Sequence, residues 1–166
     1  MLQEECESTL LALREELEGM PIVIDAVSVC CPLGLARFLL EHGFGVAAVC
    51  TDIIFEYEKE DADFLEAQYP SFRVLPTVLP ELRRKAVRQE ICDGVTNPEN
   101  KILAIGPKAA WFFDTPYFVN MIENGGLYGY RGILELAREM REAMRTEKDL
   151  RDIVPRKGLG CSCVIE

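Results

Sequence analysis

"PIVIDAVSVCCPLGLARFLLEHGFGVAAVCTD", residues 21–52, decides the fold. "PIVIDAV" is a short β-branched apolar run, as expected of a strand covered on both faces in a parallel sheet. "PLGLARFLLEHG" then has helical spacing. Pro32 suits its first turn, where a missing N–H costs nothing, and Gly43 suits a left-handed cap at its end. "GVAAVCTD" is a second buried strand. A strand, a helix and another strand in this order call for parallel pairing with a right-handed crossover.

The alternation continues on both sides of this unit. Upstream, "LQEECESTLLALREELEGM" places Leu10, Leu13 and Leu17 on one helical face, and Gly19 ends that helix. Downstream come a helix across "KEDADFLEAQY", a strand in "FRVLPTV" and an amphipathic helix starting "PELRRKAVRQEIC". "DGVTNPEN" is dense in turn formers and reads as a loop. "KILAIG" is a further buried strand, "PKAAWFFD" a short helix, and "TPYFVNMI" a brief strand or extended segment. The glycine-rich "NGGLYGYRG" leads into "ILELAREMREAMR", where Ile133, Leu136, Met140 and Met144 form one stripe. The pattern predicts an α/β, three-layer Rossmann-like domain with a mostly parallel sheet of four to five strands. Residues 1–20 form an N-terminal helix, 21–145 the Rossmann-like domain and 146–166 a charged, loose C-terminal tail.

At 166 residues the chain fits one domain, long enough to bury roughly 70% of its unfolded surface. Eighteen basic against twenty-eight acidic residues give a net charge of −10. Such a surface repels phosphate backbones and anionic lipid, which argues against nucleic acid and membrane partners and tolerates a basic protein. The acidic start "MLQEECESTL" lacks the features of a signal peptide, and no apolar run nears the ~20 residues of a membrane span. Seven cysteines, an odd number without an export signal, fit reduced thiols and a cytoplasmic location. The final "CVIE" has the form of a prenylation signal, but its acidic last residue and the lack of a polybasic stretch weigh against lipidation.

In an open parallel sheet, ligands bind beyond the carboxyl ends of the strands. Cys30 and Cys31 follow the first strand, Cys50 closes the second and Gly106 closes "KILAIG", so all lie toward one edge. Cys31 also stands at a helix N-terminus, where the macrodipole favours a thiolate, the form that ligates iron or zinc. This makes Cys30, Cys31 and Cys50 a candidate metal set. The alternative is that Cys50 is a small buried hydrophobe and the adjacent pair merely lines a loop. Asp25 and Asp52, at strand ends, are candidates for ligand contact, with capping as the plainer role. His42, the chain's one histidine, falls at the carboxyl end of its helix, opposite the ligand edge, which disfavours hydrolase chemistry. "NGGLYGYRGI" lacks G-x-G-x-x-G spacing and does not follow the first strand, so ordinary dinucleotide binding is disfavoured. Cys161 and Cys163 in "CSC" read as part of a loose end.

"GLARFLLEHGFGVAAVCTD" resembles the first helix and second strand of a repeated domain in nitrogenase component 1 proteins. "IGPKAAWFFDTPYFVNMIENGGLYGYRGILELAREM" resembles that domain's closing section, where a G-[FY]-x-G pattern, here Gly129 to Gly132, opens a long helix. The similarity runs from about residue 5 to residue 145. The family includes molybdenum-iron protein subunits, cofactor-assembly scaffolds and reductases of tetrapyrrole biosynthesis. The resemblance implies an oxidoreductase-type domain that forms part of a metallocluster or tetrapyrrole-type pocket and is not catalytically complete alone. It implies iron-sulfur or related clusters, partner domains or subunits of the same type, and an ATP-driven iron protein as electron donor. An isolated wall of this kind would expose apolar surface, so a homodimer is also expected.

Two positions depart from the family. Tyr128 stands where the catalytic subunit has a cofactor-ligating histidine, and a neutral phenol is a poor substitute at a soft iron site. The loop Ser28-Val29-Cys30-Cys31 replaces a glycine-rich one, with Cys31 roughly where an arginine faces the cofactor. By resemblance, then, Ser28, Cys30, Cys31, Gly106, Tyr128 and Gly129 are the cofactor-facing candidates. Dinitrogen reduction by this chain alone is not expected. A scaffold or carrier for a metallocofactor or small ligand, and an interaction domain with inert thiols, remain the alternatives.

Overall fold

The computed structural model describes residues 2–78, 101–122, 125 and 127–151. Five strands form one all-parallel sheet: β1 (Pro21–Asp25), β2 (Gly45–Cys50), β3 (Arg73–Leu75), β4 (Leu103–Ile105) and β5 (Phe118–Val119). Their order across the sheet is β3-β2-β1-β4-β5. The chain therefore steps outward from β1 in one direction and then returns to β1's other side. The reversal falls between the loops after β1 and β4, the usual ligand position in a sheet of this kind.

Helices cover both faces. α1 (Leu2–Glu16), α2 (Pro32–Glu41), α3 (Lys59–Gln68) and α5 (Gly129–Arg145) pack on one face, where Leu13, Ile22, Ile24, Leu33, Val49, Leu65, Ile105 and Met140 are buried together. α4 (Pro107–Phe113) packs on the other, where Val23, Ala48, Cys50, Ala104, Phe113 and Phe118 form a second cluster. The α/β three-layer Rossmann-like architecture and its five parallel strands match the sequence pattern. The pairing of β1 with β2 slips from Ile22↔Val46 to Val23↔Ala48, leaving Ala47 as the extra residue of a bulge.

The sequence cues hold at α2. Pro32 is in its first turn, and Gly43 takes the left-handed conformation after its last, at φ +81°. The entry to α5 differs from its periodicity. The helix starts at Gly129, four residues before Ile133, so the glycine-rich stretch forms its first turn. The reason is steric. A Cβ on Gly132 would lie 2.6 Å from the carbonyl carbon of Leu127, so only glycine lets this turn rest on that backbone. The most deeply buried face of α5 carries Gly132, Ala137, Met140 and Ala143, while Ile133, Leu136 and Met144 are partly buried beside it. α5 also packs against α1. There the Cys6 thiol donates to the Tyr130 carbonyl at 3.1 Å, and Arg141 pairs with Glu16 at 2.7 Å.

The helix expected from Pro80, the loop at 93–100, Cys92, Cys161, Cys163 and the end of the tail lie outside the described residues. Among the described residues, no helix is long and apolar enough to cross a membrane.

Candidate functional site

Parallel pairing aligns Asp25 with Cys50, Cys50 with Leu75 and Ile105 with Val119, so the carboxyl ends of all five strands share one rim. The loops carrying Cys30, Cys31, Gly106 and Tyr128 leave from that rim, which has two unlike halves.

Around α4 the rim is closed. The Asp25 side chain is buried and accepts the Ser28 amide at 2.8 Å and the Ala109 amide at 2.9 Å. A carboxylate from the end of β1 thus caps the first turn of α4, a task its own N-cap residue, Gly106, has no side chain to perform. Gly106 sits at φ +119°, and a Cβ there would lie 2.1 Å from Ser28 Oγ and 2.2 Å from Asp25 Oδ2. Asp25, Ser28 and Gly106 are therefore one packed unit. Burial pushes the Asp25 carboxyl above its ordinary range, and the amides of Ala109 and Ser28 recover only part of that cost. Asp52 is tied down similarly, accepting from the Thr77 amide and hydroxyl and from the Val78 amide at 3.3 Å, while Lys108 Nζ donates to Thr77 Oγ1 at 2.9 Å. Its burial acts upward, but the Thr77 hydrogen bonds and the Lys108 charge outweigh it and hold this carboxyl below the usual range. Asp25 thus does the capping work that is its plainer reading, whereas Asp52 ties the turn after β3 to the end of β2.

On the α5 side the rim is open. A cleft of about 230 Å³ lies between the β1–α2 loop and the start of α5. Val29, Cys31 and Leu35 line one wall, and Met121, Leu127, Gly129 and Gly132 line the other. Ile133 and Leu136 of α5 complete it. Apart from the Cys31 thiol, the side chains here are apolar. Cys31 and Gly129, 98 positions apart in the sequence, meet in this cleft.

The other candidates fall elsewhere. Cys30 is exposed beside the cleft, with its carbonyl accepting from the Tyr57 hydroxyl at 3.0 Å. Tyr128 is an exposed N-cap residue, and its phenol is not part of the lining. Ser28 and Gly106 are buried under the α4 half of the rim. Leu35, Met121, Leu127 and Leu136 also line the cleft, although nothing in the sequence marks them as site residues. Their only signal was apolar spacing, which buried core positions share.

The expectation that the helix N-terminus would favour a Cys31 thiolate is corrected. Glu58, a buried carboxylate at the start of α3, reaches across to accept the Leu33 amide at 3.1 Å and so occupies the end of α2 itself. Burial, together with the charges of Glu58 and Asp61, raises the Cys31 thiol above its ordinary range, against a smaller opposing pull from the Gly34 amide. The thiol packs so closely on α2 that a Cβ on Gly34 would lie 2.6 Å from Cys31 Sγ. The pleat separates the other member of the candidate set. Cys50 is buried in the cluster on the α4 face, whereas Cys31 heads a helix on the opposite face. Burial and the nearby Asp25 charge push the Cys50 thiol strongly upward. Among the described residues, no group of three or more His, Cys, Asp or Glu side chains is placed to hold a metal ion. The described donors therefore do not fit a cluster held by this chain alone.

No family model matches the chain, and no curated protein matches it. Among solved structures it is similar to one described as "Nitrogenase Cp1 at pH 6.5", at 19% identity and a TM-score of 0.48. The superposition covers 96% of this chain and 34% of that one, so the chain spans about a third of that protein's length.

Proposed function

We propose that this chain is a nitrogenase component 1-like domain that supplies one wall of a ligand pocket and leaves the rest, including the redox chemistry, to partner domains or subunits. The observation that carries the reading is the apolar cleft, because it joins the two segments singled out by resemblance, the β1–α2 loop and the Gly129–Gly132 entry to its helix. At about 230 Å³ it is smaller than the roughly 300–1,000 Å³ of a complete small-molecule pocket, as suits one wall of a shared site. Its lining favours a flat, apolar, tetrapyrrole-type ligand over a cluster, which would need several thiolates. Electrons reach such a ligand from outside this chain. Its own residues grip one edge of the ligand and exclude water from it.

Protoporphyrin IX is a direct probe. Its fluorescence should change saturably on titration with the full chain, and Leu136→Arg should weaken binding at least tenfold while leaving the urea midpoint nearly unchanged. Leu35→Arg, on the opposite wall, provides a second variant should the first fold poorly. Equal binding by wild type and both variants would remove the cleft from the reading, and no binding by wild type would remove the ligand class.

A further inference from the structure

We infer that the loop between β2 and α3 is a docking surface for a protein partner that presents apolar anchors within a basic frame. Ile53, Ile54, Phe55 and Tyr57 are consecutive or nearly so, and they are 60%, 43%, 49% and 62% exposed. The Phe55 and Tyr57 rings stack with centroids 5.4 Å apart and planes 5° from parallel. Large aromatic side chains held outward in this way are the typical anchors of protein interfaces.

The loop is held firmly while its side chains face water. The Thr51 hydroxyl donates to the Ile53 carbonyl at 2.7 Å, fixing the first end. The Glu58 amide donates to the Phe55 carbonyl at 2.9 Å, and the buried Glu58 carboxylate binds the Leu33 amide, fixing the second. Tyr57 bridges to the Cys30 carbonyl between them. A loop pinned at both ends loses little further entropy when a partner docks, so little of the gain from burying its side chains is cancelled.

Charge selects the occupant. "DIIFEYEKED", residues 52–61, carries five carboxylates and one lysine; Glu58 is buried, so Asp52, Glu56, Glu60 and Asp61 make the acidic frame, and the chain as a whole carries −10. Lys59 is engaged by Glu56 at 2.5 Å, and Arg37 reaches over from α2 to Asp61 at 3.0 Å and to the 91% exposed Glu60 side chain at 3.6 Å, so two cations face four carboxylates and an acidic excess remains. A second copy would bring this acidic frame against itself and be repelled. A partner with lysine or arginine around an apolar core meets complementary charge. The surface is separate from the lining of the cleft, so the inference does not depend on the ligand proposed there.

The test uses the ¹⁵N-labelled full chain and two synthetic amphipathic peptides with the same leucine- and phenylalanine-bearing face. One carries lysine and arginine on its other face, and the second carries glutamate there. The basic peptide should shift the amides of residues 53–57, with binding weakened at least tenfold by the double substitution Phe55→Ser and Tyr57→Ser. Binding should also weaken severalfold as salt rises from about 0.05 to about 0.3 M, because the charges are exposed. Glu60→Lys, which leaves the apolar residues intact, should weaken it as well. Equal binding of the acidic peptide, shifts confined to other residues, or no shifts at all would overturn the inference. So would concentration-dependent self-association that perturbs residues 53–57, since the occupant would then be a second copy.

Discussion

The two halves of the rim differ in what occupies their polar backbone. Around α4, carboxylates from neighbouring elements satisfy the exposed amides: Asp25 binds those of Ser28 and Ala109, and Asp52 binds those of Thr77 and Val78. Around the α5 entry, apolar side chains border an open cleft. Both halves lie where an open parallel sheet binds ligands. The comparison teaches that position on the rim does not make a residue a ligand contact. Asp25, Ser28 and Gly106 spend their chemistry on the fold, whereas Cys31 and Gly129 face space that another molecule can enter.

The largest expected effect breaks the closed half. Gly106→Ala would force a methyl group to within van der Waals overlap of Ser28 and Asp25, at a backbone angle that L residues rarely adopt. A loss of about 3 kcal/mol in urea unfolding is expected. A loss under about 1 kcal/mol would mean that the Asp25–Ser28–Gly106 unit repacks easily and is not the rigid half described above.

Asp25→Ala comes next, with an expected cost of about 2 kcal/mol, because two amides lose a buried acceptor. The carboxyl's pH dependence sharpens the comparison further. Its folded value is raised above the unfolded value of about 3.9, so the folded chain holds a proton that the unfolded chain releases. The contribution is full below about pH 4 and is lost as pH rises through the raised value. Urea midpoints measured upward from pH 4 should therefore decline more steeply for the wild type than for Asp25→Asn. Parallel slopes would show that the carboxylate stays ionised in the folded chain.

The smallest effect concerns the thiols. Among the described cysteines, Cys30 is exposed and should be alkylated first by iodoacetamide. Cys31 should follow slowly at neutral pH and speed up as pH rises, because burial and two carboxylates oppose its thiolate. Cys50 should react only when the chain unfolds. Peptide mapping after timed alkylation checks the order, and a Cys31 that reacts as fast as Cys30 at neutral pH would restore the expectation of an activated thiolate.

Much of the architecture was legible from local chemistry. The apolar runs of β1 and β2, Pro32 at the start of α2 and the left-handed glycine at its end are cues carried by neighbouring residues. The candidate site was legible only in part. "VCCP" and "GYRG" directed attention to Cys31 and Gly129, which do share a cleft, but periodicity read Leu136 as core stripe and gave Met121 and Leu127 no role. Cys50 closes β2 as the sequence indicates and is the small buried hydrophobe of the plainer reading; its separation from Cys31 was not legible, because alternation along β2, shifted by the bulge at Ala47, decides which face each side chain takes.

By itself, the sequence determined the order of strands and helices and the acidity of the surface, since spacing, capping residues and charge act over a few positions. Only the tertiary structure decided that Glu58 caps α2, that Asp25 caps α4 and that Cys31 and Cys50 are divided by the sheet. The two caps depend on groups 25 and 84 residues apart being brought into contact, where burial sets the cost of a charge and geometry sets which amide it can satisfy.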